Sequence, residues 1–316
     1  MFTTTSLLAR RFSSSSLNLV KTLRQKTGAP ILECKKALTA VDNDIDAAVD
    51  HLRKIGVAAA AKRSGKTASE GLVVVAVSEC GKKGVAVELN SETDFVARNE
   101  MFQGFLTNVA NVALAVVPEQ QSDITSDITQ QLITESITTE DGTTSSIGEA
   151  VEHLSGVIRE NIQLRRASMM TVENGIIGQY VHNSIGPSQG GIGCMVALAV
   201  EGGGDTSGLE DVGRSVSLHI AAARPIYLDE ASIPTADLER EKSVHTELGL
   251  ASGKPENIVE KMVTGKMNKY YMENCLVRQK SVVDDDNLVM SKFVSKANKS
   301  AVIAGFIRME VGEEML

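Results

Sequence analysis

Two stretches of this chain read in the same order: strand, turn, strand, helix. One begins near Gly71 and the other near Gly175. In the first, Gly71 to Ser78 and Lys83 to Ser91 are rich in β-branched residues. They are joined by Cys80-Gly81-Lys82, the pattern of a hairpin. A helical pattern follows from Phe95 to Val117, with Phe95, Phe102, Phe105, Leu106, Val109, Val112 and Val116 as its apolar set. In the second, Gly175 to His182 and Gly193 to Val200 are joined by a Gly-rich loop, and Leu209 to Ala223 read as a helix. Such a unit must bury its apolar face against something. Two of them in one chain point to an α+β core of two related subdomains with antiparallel sheets.

The remaining segments arrange themselves around that core. Residues 19–62 read as a compact three-helix module. Thr27-Gly28-Ala29-Pro30 ends the first helix and starts the second, whose face carries Ile31, Cys34, Leu38 and Val41. Ile45, Ala48, Val49, Leu52 and Ile55 form the stripe of the third. A module this small cannot enclose a pocket and suits docking better than catalysis. Ala60 to Ser69 reads as a basic linker with Lys62, Arg63 and Lys66. The first subdomain then spans 63–173 and the second 174–316. Within the first, 118–146 is rich in Thr, Ser, Gln and acids, and is expected to be an exposed insertion. Within the second, the Gly-Lys-Pro break at 253–255 separates two amphipathic runs, the pattern of a helical hairpin over about 234–273.

Composition excludes several functions. Aromatics are 3% of the 316 residues, with no Trp, too few to build stacking platforms for single-stranded nucleic acid. A net charge of −8 disfavours binding along a phosphate backbone, so no direct nucleic-acid partner is expected. No apolar run approaches the ~18 residues of a membrane span. Cys34, Cys80, Cys194 and Cys275 form no C-x-x-C pair and no common zinc spacing, and read as reduced thiols. The five histidines are scattered likewise, so neither metal nor cofactor is expected. Residues 1–18 differ from the rest. They hold Arg10, Arg11, five Ser, three Thr and no acid, the composition of an organelle transit peptide.

Local motifs for chemistry fail on inspection. Gly65-Lys66-Thr67 resembles the end of a phosphate-binding loop, but Ala60 stands where its first glycine belongs. The preceding strand and following helix are also reversed. Gly190-Gly191-Ile192-Gly193 and Gly202 to Gly204 read as turn glycines, and Asp284-Asp285-Asp286 as a solvated loop. What remains is Thr93-Asp94-Phe95-Val96-Ala97-Arg98, a large aromatic beside a carboxylate at a helix start. Such a Phe is either core or a wedge for a partner protein, and Asp94 is either an N-cap or a partner contact.

The order of helical module, linker, hairpin and TDFVAR resembles the elongation factor Ts family. The matching runs are LRQKTGAPILECKKAL from Leu23, DIDAAVDHLRKIG from Asp44, ELNSETDFVARNEMF from Glu88, HIAAARP from His219, SGKPENIVEKMVTGKMNK from Ser252 and AGFIRMEVGE from Ala304. With the leader, the chain looks like an organellar form, of the mitochondrial matrix rather than the plastid. The resemblance implies a ubiquitin-associated-like module, two α+β subdomains and an inserted helical hairpin. It also implies a guanine-nucleotide exchange factor, not an enzyme, that releases GDP from elongation factor Tu and binds it both GDP-bound and nucleotide-free. Carried over residue by residue, the partner contacts fall on Asp94 and Phe95; on Arg24, Ile31, Leu32 and Lys35; on His182; and on Val282 and Val283. The chain departs from the family pattern in places, among them the insertion at 118–146, the loop at 183–191 and the spacing at 284–286. Ile31-Leu32 replaces a usual Met-Met pair, and Arg159 replaces a frequent Gly. A competing reading, from residues 19–62 alone, is a ubiquitin or nascent-chain binding module. It leaves TDFVAR and the second half unexplained. A small-molecule enzyme lacks any recognisable acid, base or metal constellation.

Overall fold

The computed structural model of the chain describes residues 14–63, 65–118, 123–139, 142–284 and 286–314. It opens with three helices, α1 (Ser14–Thr27), α2 (Ile31–Ala40) and α3 (Ile45–Arg63). Leu23, Cys34, Ala37, Leu38 and Ala48 close around one another as the core of this module. Next come β1 (Glu70–Val77), β2 (Lys83–Ser91), α4 (Glu100–Val116), β3 (Thr125–Asp127), α5 (Thr129–Thr134), β4 (Ser136–Thr138), β5 (Thr144–Ser146), α6 (Ile147–Ile158) and β6 (Gln163–Thr171). The second half contributes β7 (Gly175–His182), β8 (Gln189–Gly190), β9 (Ile192–Val200), α7 (Leu209–Ala223), α8 (Thr235–Ala251), α9 (Glu256–Asn274), α10 (Met290–Ala297) and β10 (Ala301–Glu310).

The fold is α+β, and its sheets are antiparallel. The first sheet runs β3-β6-β2-β1-β8 and the second β10-β9-β7. They stack face to face: Val73, Val75, Ala86 and Met170 of the first meet Ile177, Met195, Ala197 and Ile307 of the second. Leu72, Val74 and Val87 point the other way, into a core with Phe102, Leu106 and Val109 of α4 and Leu154 of α6. On the far side, Cys194, Val196 and Leu198 pack against Val216 and Ile220 of α7 and Val294 of α10. Strands β1, β2 and β9 are therefore covered on both faces, which is why they read as continuous apolar runs and not as alternating ones.

The two halves share one backbone detail. Gly71 pairs with Asn90, and a Cβ on it would lie 2.1 Å from the Leu89 carbonyl oxygen. Gly175 pairs with Ala199, and a Cβ on it would lie 1.9 Å from the Leu198 carbonyl oxygen. The same close approach opens the equivalent strand in each half, where only glycine fits.

Several expectations need correction. The helix expected from Phe95 starts at Glu100, because Asn99 and not Asp94 caps it. The Asn99 Oδ1 accepts from the amides of Met101 at 2.9 Å and Phe102 at 3.4 Å. The insertion at 118–146 is not simply exposed. Its Ile128, Leu132 and Ile137 are buried in the first core and β3 extends the first sheet. The linker expected from Ala60 is still helix as far as Arg63, consistent with the high helix propensity of the run Ala58 to Ala61. Gly190 and Gly193 lie in strands, whereas Gly202 and Gly203 take turn conformations at φ 77° and 70°. Of the leader at 1–18, residues 1–13 lie outside the described residues and 14–18 belong to α1.

Candidate functional site

Phe95 sits on the turn between β2 and α4 and is 78% exposed. Its neighbours do the opposite: Val96 and Ala97 are buried in the first core. The Gln103 side-chain Nε2 also donates to the Ala97 carbonyl at 2.8 Å. A large ring is thus held outside the protein by a turn whose next two residues are anchored within it. Asp94 beside it is exposed.

The turn is gripped from behind by the loop after α6. The Glu160 carboxylate accepts from the Thr93 amide at 3.0 Å and the Thr93 hydroxyl at 2.7 Å. In return the Glu92 carboxylate accepts from the Asn161 amide at 2.7 Å, and it also binds Lys66 Nζ at 2.7 Å. Lys66 and then the Asn161 amide hold the Glu92 carboxyl below its usual range. The lysine that resembled part of a phosphate loop is therefore one partner of this ion pair.

The same loop reaches the N-terminal module. Arg159, in the left-handed conformation at φ 70°, pairs its guanidinium with Glu33 of α2. Gly56 of α3 meets Gly156 of α6 so closely that a Cβ on Gly156 would lie 2.8 Å from the Gly56 Cα. Next to Glu33, Ile31 and Leu32 are 48% and 64% exposed. Arg24 is exposed on α1 and Lys35 is half-buried on α2. One short loop thus ties α2, which carries Ile31, Leu32 and Lys35, to the turn that carries Asp94 and Phe95, and Arg24 lies on the adjacent α1.

The remaining predicted residues lie on the second half. His182 is exposed at the end of β7, with the Tyr180 hydroxyl 3.2 Å from its Nδ1. Val282 is 58% exposed and Val283 is half-buried. Among the described residues no hydrogen bond or ion pair ties these three to the Phe95 turn. Val282 has its own support. Its amide donates to Nδ1 of the fully buried His219 at 3.3 Å, and His219 Nε2 lies 3.0 Å from Gln279 Oε1. This places the ring proton on Nε2 and keeps the imidazole neutral, as its burial also requires.

Burial lowers the His219 pKa against a smaller opposing effect of Gln279, so the unfolded chain binds that proton more readily. Stability should then decline as the pH falls from about 6.5 towards the folded-state value. Denaturation midpoints at neutral and mildly acidic pH should differ less for His219→Gln than for the parent chain.

Sequence reasoning missed Glu92, Glu160, Asn161 and His219 as supports of the exposed positions. Their partners are distant in sequence, and no local pattern marks them. None of the four cysteines is in a disulfide, and burial pushes the Cys194 thiol up to about 12. Among the described residues no group of three or more His, Cys, Asp or Glu could hold a metal, and no helix is long and apolar enough to cross a membrane.

Comparison with known proteins places this arrangement. The family model described as Elongation factor TS matches residues 92–313. Elongation factor Ts of Paramagnetospirillum magneticum is 45% identical over 302 residues, covering 94% of this chain and 91% of that protein. The Rhodospirillum centenum protein of the same name is 44% identical, covering 94% and 93%. That of Rhodospirillum rubrum is 42% identical, covering 93% and 92%. With a family match over more than half of its length and relatives that cover nearly all of it, this chain belongs to the elongation factor Ts family.

Proposed function

We propose that this chain accelerates GDP release from elongation factor Tu, acting as a wedge whose tip is Phe95. The observation that carries the reading is the exposed phenyl ring on a turn fixed from behind. It needs no covalent step. A partner that holds GDP at nanomolar affinity has about 12 kcal/mol of binding free energy to overcome. Burying one Phe supplies only about 1.5–3 kcal/mol. The ring therefore directs the encounter, and a broad interface supplies the rest. The exposed Ile31 and Leu32, with Arg24, Lys35, His182, Val282 and Val283, are the contacts assigned to that interface. The sensitive element in the partner is its magnesium ion, which needs near-ideal octahedral geometry and loses phosphate affinity when its ligands shift. Asp94, free of the capping role that Asn99 takes, is assigned to the partner backbone.

The proposed setting is the mitochondrial matrix, on the basis of the composition of residues 1–18. Those residues fused to a fluorescent protein should direct it there; plastid or cytosolic fluorescence would defeat the assignment. The function itself is tested by release of a fluorescent GDP analogue from the organelle's elongation factor Tu. Catalytic amounts of this chain should speed release, and an unchanged rate would reject the reading. Binding to both GDP-bound and nucleotide-free partner is expected, tighter to the latter, because coupling between GDP and this chain is reciprocal.

A further inference from the structure

We propose that Glu160 is a positioning residue for exchange: with Glu92 and Asn161 it forms a clasp that fixes the Phe95 turn in its binding geometry. The proposal rests on the exchange reading above and deepens it. An exposed ring contributes little to holding its own turn, so the turn must be held by other groups. The two carboxylates do this reciprocally, each accepting from a backbone amide on the opposite side. Glu160 takes the Thr93 amide and hydroxyl at 3.0 and 2.7 Å, and Glu92 takes the Asn161 amide at 2.7 Å. The loop that carries Glu160 is itself fixed. The Ser155 hydroxyl donates to the Glu160 carbonyl at 2.5 Å, and the Asn161 side chain donates to the Lys66 carbonyl at 2.6 Å.

Arg159 extends the clasp to the N-terminal module. A left-handed conformation is unfavourable for a side chain with a Cβ, and glycine would relax it. Glycine, however, could not reach Glu33, which the Arg159 guanidinium does. One four-residue loop, 159–162, therefore sets both the Phe95 turn and the helix that carries Ile31 and Leu32. Fixing those surfaces before the encounter removes an ordering cost from binding.

The test is a double-mutant cycle in the full chain, read as kcat/KM for GDP release and as thermal stability. Glu160→Ala should lower kcat/KM about tenfold in the parent background and add no further loss to Phe95→Ala, since the clasp acts through the ring. Glu160→Gln should stay near the parent, because its carbonyl can accept from the Thr93 amide while its NH2 donates to the hydroxyl. Amide exchange at Thr93 should quicken in Glu160→Ala. If Glu160→Ala does not fold, Thr93→Val, which removes one bond and keeps the shape, should show part of the same loss and the same dependence on Phe95. An equal loss with and without Phe95 would make Glu160 merely structural and overturn the proposal. A Glu160→Gln as poor as Glu160→Ala would point to a direct charge contact and also overturn it. Full activity of Glu160→Ala sinks the clasp alone, whereas no acceleration by the parent chain sinks the exchange reading and the clasp with it.

Discussion

Replacing Phe95 by alanine is expected to slow GDP release from elongation factor Tu by one to two orders of magnitude while leaving thermal unfolding nearly unchanged. The two halves of that expectation have separate causes. At 78% exposure, Phe95 gains little from its own fold. A surface substitution of this kind changes stability by less than about 0.5 kcal/mol. In a complex the ring would be buried, and the loss of that burial is worth about 1.5–3 kcal/mol. At 1.4 kcal/mol per tenfold this is a factor of about 10 to 150 in kcat/KM. A matched drop in melting temperature and exchange would mean that the ring supports the fold. Normal exchange with a normal melting temperature would mean that the wedge is elsewhere. Phe95→Leu should recover part of the activity, because it restores apolar volume without the ring's shape.

The parts of this molecule that were legible in the sequence are those set by local periodicity. Helix α7 falls on the expected Leu209–Ala223, and β1, β2, β7 and β9 fall within a residue of their apolar runs. Those runs are continuous because both faces of the strands are covered, a property that survives without knowledge of which sheet covers which. Two kinds of feature were not legible. One is the choice between competing caps: Asp94 and Asn99 are both good cap residues, and only the structure shows that the chain turns at Phe95 before α4 begins at Glu100. The other is tertiary override of composition. The polar stretch after Pro118 hides Ile128, Leu132 and Ile137, three apolar side chains that are enough to dock it on the first core. The exposed ring itself was visible as an oddity, an aromatic in an aromatic-poor chain. The residues that hold it were not, because Glu160 and Asn161 lie 67 and 69 positions from the groups they grip.

Glu88→Ala should do the reverse of Phe95→Ala: it should destabilise the fold and spare the exchange step. Glu88 lies on β2 with no exposed surface, in the middle of the first sheet. Its carboxylate accepts from Arg165 Nη1 at 2.9 Å, Arg166 Nε at 2.6 Å and the Gly312 amide at 2.9 Å. Arg166 also binds Glu313 at 2.8 Å, and Arg308 binds Glu313 at 2.7 Å. The network therefore ties β2 and β6 of the first sheet to the end of β10 in the second. Removing the central carboxylate leaves the poorly solvated Arg165 without its carboxylate partner and Arg166 with Glu313 alone, which costs about 3–5 kcal/mol. For a chain of this size that is a fall of about 5–8 °C in melting temperature. Below the transition, exchange per folded molecule should remain near the parent value, since none of these groups touches the Phe95 turn or its clasp. The same network predicts acid sensitivity. Burial pushes the Glu313 carboxyl up, but the Glu310 amide and the Arg166 side chain outweigh it and the net shift is downward. A lowered carboxyl contributes stability above the unfolded value of about 4.3 and loses it as the pH falls through the folded value. Glu88→Ala should flatten that acid limb in part, because Arg166, one of the groups that lower Glu313, loses its bond to Glu88. A melting temperature unchanged by the substitution would show that Arg165 and Arg166 find water or new partners, and that the sheets are held together by their apolar faces alone.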